Sequence, residues 1–228
     1  METHTRSTQG NESTGRLAGA LLVALAVTSV LTMTHHPTAH GHGAGEILAS
    51  LAQVARLNAL VHGGLIALML AVLLLLAEFA GRQVRHVGLA RSGMLLYALG
   101  AGALTLAGLI NGFAVPSLAA GVGAGHDAVA FGPVLHFAWG LNQAAAGFGS
   151  IAFALAIALW SIDLVRRSGL ARWVGAYGVG AGALVTVAVG SGALSLDVRG
   201  FGAVVAALAL WQAGAGVLLW RHGRAAAP

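Results

Sequence analysis

The chain has 228 residues, of which 57% are hydrophobic and only 8% are charged, whereas roughly 25% are charged in an average soluble domain. So few charges cannot cover a surface that faces water, so the composition excludes a soluble protein. The twelve basic residues are all arginine and form no run that could follow a phosphate backbone, which argues against nucleic acid as a partner. The absence of cysteine excludes disulfides, thiolate metal sites and iron–sulfur clusters.

Apolar stretches of about 20 residues predict six membrane-spanning helices. The first has Arg6 and Arg16 ahead of it, as a secretory signal would, but no small-x-small cleavage site follows Met33, so we predict that this helix is retained. The sequence thus predicts an all-α integral membrane protein, with a disordered N-terminus over 1–16, one six-helix domain over 17–222 and a tail over 223–228. The predicted spans are 17–34, 57–79, 93–115, 135–162, 173–194 and 201–220.

The arginines predict how the bundle is oriented. Ten of the twelve lie at one set of helix ends, and only Arg56 and Arg199 lie at the other. By the positive-inside rule, this distribution predicts that both termini and the two short arginine-rich loops are cytoplasmic, in a bacterial-type inner (plasma) membrane. We name the end that carries Arg82 and Arg166 the arginine end. The opposite end, which carries His36, is named the histidine end and is predicted to face outside.

Acidic residues are few and stand close to arginines. Glu78 lies four residues before Arg82, and Asp163 lies three and four residues before Arg166 and Arg167. These spacings predict ion pairs on the helix surface rather than catalytic or proton-relay groups. We expect a further pair between Asp197 and Arg199 in the turn before the last span.

Two sequence features predict how the spans pack. Gly-Leu-Ala-Arg occurs at 88–91 and again at 169–172, and each copy is followed by a tyrosine and by Ala-Gly-Ala-Leu. Spans two and three therefore resemble spans four and five, which predicts a parallel helical-hairpin repeat. Gly108 and Gly112, and likewise Gly178 and Gly182, have the small-x3-small spacing of closely packed membrane helices, and we predict packing within one bundle rather than dimerisation.

The segment before the second span is amphipathic. From Glu46 to Phe79, one straight helix would measure about 50 Å, well beyond a hydrocarbon core of about 30 Å. Apolar and polar residues alternate at helical spacing over 46–56. We therefore predict a break near Leu57 and, within a histidine-rich outer loop over 35–56, an interfacial amphipathic helix.

Most of the histidines fall on one side of the predicted topology. His4, His86 and His222 are predicted to be cytoplasmic, whereas the other seven lie on or near the outer side. The seven are His35, His36, His40, His42, His62, His126 and His136. A neutral imidazole is a common ligand of transition metals and haem iron, so this asymmetry predicts an outward-facing site.

His62 is the histidine that the sequence places deepest. It lies one turn after Asn58, on the same helix face and about 7 Å beyond the start of its span. An imidazole at that depth needs a hydrogen-bond partner, a metal or a cofactor. His136 begins the fourth span, and Pro37 ends the first helix just after His35 and His36.

We therefore predict a site built from single side chains of several helices. The predicted ligands are His62, His136, His35 and His36, and the predicted orienting partners are Asn58, Asn111, Asn142 and Gln143. His40, His42, His126 and Asp127 are accessory candidates in loops. The cofactor would be a transition-metal ion (Cu or Zn) or haem, and His62 with His136 is the pair expected to hold haem iron.

Two other interpretations remain open at this stage. One is a small-molecule transporter whose polar pocket holds no metal. The other is a non-catalytic assembly or structural subunit whose histidines satisfy hydrogen bonds at the interface. The signatures of nucleotide binding, serine hydrolysis and zincin catalysis are absent, so the sequence identifies no catalytic residue or reaction. The predicted partners are the lipid bilayer and a second membrane protein or another copy of the chain.

Overall fold

A computed structural model describes residues 3–37, 44–123 and 131–225. These residues form an all-α bundle, and no strand occurs among them, as the sequence predicted. The described residues contain seven α-helices, and a π-helical turn over Ile110–Ala114 separates the third from the fourth. The α-helices are α1 (Thr3–Thr34), α2 (Ala44–Gln83), α3 (Val87–Leu109), α4 (Val115–Gly123), α5 (Gly132–Val165), α6 (Gly169–Gly190) and α7 (Val198–Ala225).

Six helical segments of the described chain are long and apolar enough to cross a bilayer, which confirms the predicted number of spans. The third of them runs through α3, the π turn and part of α4 as one crossing over Val87–Gly121. Many leucines and aromatic residues on the outside of the bundle are exposed, among them Leu74, Phe137 and Trp173. A surface of this kind is stable only against lipid, so the chain is a multi-pass membrane protein whose outer surface contacts the bilayer.

The predicted break near Leu57 is wrong, because α2 continues from Ala44 to Gln83. No proline lies between these residues, so nothing removes a backbone donor or forces the helix to end. At 1.5 Å per residue the helix is about 60 Å long, and its first turns therefore extend beyond the membrane core. The apolar face of 46–56 is used within the protein: Leu48 is buried, and Leu51 and Val54 line an internal cavity.

Helix α1 begins at Thr3, whereas we had predicted a disordered terminus over 1–16. No proline interrupts these residues, so the backbone hydrogen bonds of the first span can continue towards the N-terminus. The apolar part of the helix, Ser13–Thr34, agrees with the predicted first span.

The bundle is built from closely packed helix pairs, namely α1 with α7, α3 with α5 and α5 with α6. A Cβ atom added to Gly19 would lie 2.5 Å from the backbone oxygen of Gly216, and the reciprocal distance is 2.7 Å. At Gly182 an added Cβ would lie 2.6 Å from the backbone oxygen of Ala154. Glycine is therefore required at these crossings, and the predicted small-x3-small faces do pack within the chain.

Ion pairs stabilise the arginine end of the bundle. Glu78 pairs with Arg82, and the Asp163 carboxylate accepts a hydrogen bond of 2.9 Å from Arg167, so both predicted pairings are confirmed.

The pair predicted between Asp197 and Arg199, at the histidine end, is not formed. The Asp197 carboxylate instead accepts a hydrogen bond of 2.8 Å from the Gly200 backbone N–H. Asp197 immediately precedes α7, so its side chain caps the N–H groups at the start of that helix.

Candidate functional site

At the histidine end, α1 and α2 bring two imidazole rings together. The Nε2 atoms of His36 and His62 are 3.2 Å apart, and the ring centroids are 4.7 Å apart. His62 is buried, with 6% of its surface exposed, and His36 is half-buried just after the last turn of α1. Pro37 prevents α1 from continuing and thus leaves the His36 side chain beside α2.

The other nitrogen of each ring fixes where its proton lies. His62 Nδ1 is 2.9 Å from the backbone oxygen of Asn58, and His36 Nδ1 is 2.9 Å from the backbone oxygen of Pro37. A carbonyl oxygen can only accept, so each Nδ1 must carry a proton and donate it. In the neutral rings, both Nε2 atoms are therefore unprotonated, and two lone pairs face each other. Burial lowers the pKa of His36, which favours its neutral form.

A π-helical turn brings Asn111 to the same site. Within this turn the Val115 N–H donates to the Ile110 oxygen, five residues back. In the same pattern the backbone N–H of residue 116 would donate to the Asn111 oxygen, but residue 116 is proline and has no N–H. The Asn58 side chain supplies the missing donor, because its Nδ2 lies 2.7 Å from the Asn111 oxygen. Pro116 thus explains why an amide on α2 is bonded to this turn.

The same turn lies directly against His62. The Asn111 Nδ2 atom is 3.2 Å from His62 Nε2, to which it can donate a hydrogen bond. A Cβ atom added to Gly112 would lie only 2.4 Å from the His62 Cβ. The approach of the π turn to α2 therefore requires glycine at position 112, and it fixes the His62 ring between Asn58, Asn111 and His36.

His36 and His62 line the outer part of a cavity of about 450 Å³ bordered by α1, α2, α3, α5 and α7. Near the histidines its wall is polar and includes Asn58, Asn142 and Asp197. Farther in, the wall consists mainly of aliphatic side chains such as Ile66 and Leu208. The two histidines therefore border an apolar interior.

Buried aromatic residues close the other end of the cavity. Gln212 lines the cavity there, and its Nε2 donates to the Tyr97 hydroxyl at 3.2 Å. Tyr97 stacks on Trp160, which in turn stacks on Trp211, and all three side chains are fully buried. These large packed rings fill the bundle beyond Gln212, so the cavity ends there. We name the cavity the chamber, and we name its polar end at His36 and His62 the mouth.

The remaining predicted site residues are placed differently. His35 is exposed and its Nδ1 contacts the Leu31 backbone oxygen. His136 is also exposed, stacks on Trp139 and does not line the cavity. Gln143 lines the cavity and donates to the Leu196 backbone oxygen at 3.4 Å. The loop candidates His40, His42, His126 and Asp127 lie outside the described residues.

Within 3–37, 44–123 and 131–225, no three histidine or acidic side chains form a group that could hold a metal ion. The structure thus brings together two of the four predicted ligands, His36 and His62, with Asn58 and Asn111. It does not bring His136 or His35 into this cluster. A single histidine on a separate helix can reach a shared site only if helix packing turns it inward, and the hydropathy of a span does not determine that rotation.

Sequence reasoning missed the contributions of Pro116 and of Gln212 with Tyr97. A proline five residues after Asn111, inside a spanning segment, was the available signal for a locally altered helix. A glutamine and a tyrosine well inside apolar spans were the signal for a polar contact deep in the bundle. No protein-family model matches the sequence, and comparisons with curated proteins and with solved structures give no significant match.

Proposed function

We propose that this membrane protein binds a transition-metal ion, Cu or Zn, through Nε2 of His36 and Nε2 of His62. The observation that carries the proposal is the pair of Nε2 atoms 3.2 Å apart, in rings whose Nδ1 atoms both face carbonyl oxygens. Two unprotonated nitrogens repel each other at this distance unless a positive species is shared between them. Neutral imidazole nitrogen is a common ligand of both metals.

The distance suits neighbouring ligands of one ion. With metal–nitrogen bonds of about 2.0–2.1 Å, a separation of 3.2 Å closes an angle of about 100° at the metal, close to tetrahedral. Two ligands on opposite faces of a haem iron would instead be about 4 Å apart. The geometry therefore favours a single ion over haem.

A shared proton is the alternative positive species. It would make one ring an imidazolium, with its second N–H directed at the other ring. Burial lowers the pKa of His36 and so opposes this charge, whereas a metal ion would use both lone pairs at once. The two states differ in metal content and can be separated by experiment.

Further ligands would complete the coordination. Rotation of the Asn111 side-chain amide would exchange its nitrogen for its oxygen and direct an acceptor towards the ion. Water is another candidate ligand. So are His40 and His42, which follow Pro37 by three and five residues in the sequence. The Asn58 and Pro37 backbone oxygens would act as orienting partners, because they hold the Nδ1 protons and fix both rings.

The test is the metal content of purified protein. The chain would be produced with Cu or Zn in the medium, extracted in mild detergent, dialysed against a weak chelator and analysed by plasma mass spectrometry. We expect a stoichiometric ion in the wild type, and its loss in His36→Ala and in His62→Ala. His35→Ala is the matched control, because this neighbouring ring is exposed and faces away to Leu31, and it should retain the ion. A metal-free wild type, or equal metal in all variants, would contradict the proposal.

A further inference from the structure

The chamber below the histidines has a definite length. Its outermost and innermost lining residues are Trp139 and Phe153 on α5, and Val198 and Gln212 on α7. Each pair is fourteen residues apart, so two helices independently give a length of about 21 Å at 1.5 Å per residue, and on α2 the lining runs from Val72 beyond His62 to Leu51. A rounded space of about 450 Å³ would be less than half as long as this. The space is therefore long and narrow.

The chemistry of the wall changes along this length. The mouth carries His36, His62 and Asn111, and the middle is aliphatic, with Ile66, Ala146 and Val205 among its lining residues. At the inner end Gln212 is bonded to Tyr97, which satisfies part of its polarity. A ligand that matches this gradient has a polar group at one end and an apolar body.

The mouth also selects the kind of polar group. Asp197 lines it and its carboxylate would repel an anionic group. The Asn111 amide can donate to His62 Nε2, which leaves the His36 Nε2 lone pair to accept from the ligand, and a bound metal ion would instead take an oxygen ligand. A hydroxyl meets both requirements, because it can donate to a nitrogen and its oxygen can coordinate an ion.

We propose that the chamber binds a lipid-soluble alcohol with a single linear chain, its hydroxyl at His36 and His62 and its chain directed towards Gln212. The position of the hydroxyl rests on the proposed metal site, whereas the position of the chain rests on the cavity alone. The probe is a 1-dodecanol analogue that carries a photoreactive diazirine at the far end of its chain. After irradiation, mass spectrometry of peptides locates the adduct.

In the wild type, adducts should form on the inward residues of α7, such as Leu208 and Gln212, and not on the exposed Leu210 between them. Excess unlabelled 1-dodecanol should suppress this labelling strongly, and dodecanoate, whose charge opposes Asp197, should suppress it less. Adducts confined to Leu210 and other lipid-facing residues would overturn the proposal, because they would report partition into the surrounding detergent or lipid. Equal suppression by the alcohol and the carboxylate would overturn the assignment of the head group.

Ala146→Phe should abolish labelling of the chamber, because Ala146 lines it and a benzyl group would fill its middle. The matched control is Ala144→Phe, since Ala144 lies on the same helix, two residues earlier, and is exposed. Val205→Phe provides a second block on α7 in case Ala146→Phe does not fold, and elution profiles identify folded variants. If folded Ala146→Phe and Val205→Phe are labelled like the wild type, the inference fails. The metal content of these variants tests the proposed function separately. If they retain the ion, the proposed metal site is supported even when labelling fails. If the wild type itself holds no metal, the proposed function is contradicted and the chamber is not.

Discussion

The contact between Gly112 and His62 can be tested by adding a single methyl group. In Gly112→Ala the new Cβ would lie 2.4 Å from the His62 Cβ and 2.7 Å from its Cγ. Carbon atoms pack at about 3.5–4.0 Å, so the π turn and α2 must separate by about 1 Å. Overpacking of this kind costs about 1–3 kcal/mol, and the helix preference of alanine offsets up to about 1 kcal/mol of it. We expect a net loss of about 1–2 kcal/mol of unfolding free energy.

For a chain of this size that loss corresponds to a fall in Tm of about 2–8 °C. Separation of α2 from the π turn also misorients His62, which should weaken metal binding by about 10- to 100-fold. Tm would be followed by tryptophan fluorescence in detergent, and affinity by competition with a chelator of known strength. Gly102→Ala is the matched control, because an added Cβ meets nothing within 4 Å there, and it should leave metal binding unchanged and Tm equal or higher. A Gly112→Ala protein with wild-type Tm and affinity would refute the contact.

Three other predictions follow from the site and the topology. Asn58→Ala should lower the free energy of unfolding by about 1–3 kcal/mol, because it removes the donor to the Asn111 backbone oxygen. In a Pro116→Ala background a backbone N–H can replace that donor, so the same substitution should lower it by less. If the two substitutions lower Tm additively, the role given to Pro116 is contradicted. Replacing His40 and His42 with alanine should leave most of the tightly bound metal in place, because the entropy lost on ordering a glycine-rich loop opposes coordination by that loop. Complete loss of metal after dialysis would show instead that the main site lies in the loop. Reporter fusions should read outside near residues 43, 125 and 198 and cytoplasmic at residues 87, 168 and 226, and an outside signal at 168 would contradict the orientation.

The sequence was sufficient to predict the spans and part of the site. Hydropathy over about 20 residues is a local property, so the six crossings could be read without knowledge of their packing. His62 and Asn58 share one face of α2, and an imidazole at that depth had to face the interior; both side chains are indeed buried. His36 was also among the predicted ligands, because Pro37 ends the first helix just after it.

Other features depend on contacts between distant segments. The inward rotation predicted for His136 required α5 to turn its first residues towards α2, but Trp139 covers the ring on an exposed surface instead. The sequence alone could not decide between two partners of Asp197. An ion pair with Arg199 and a cap on the Gly200 N–H both need a carboxylate two or three residues earlier in the same short turn. The chamber arises from the packing of five helices and has no local signature. The hairpin repeat stays a prediction.

X-ray absorption of the zinc-loaded protein tests the central claim most directly, because it reports the atoms bonded to the ion. Our account predicts imidazole scattering from two histidines, with nitrogen at about 2.0–2.1 Å. The outer-shell imidazole signal should be lost in the double variant His36→Ala/His62→Ala and be retained in His35→Ala. A zinc spectrum without imidazole scattering, or one that is identical in the wild type and the double variant, would contradict the claim that these two rings hold the ion.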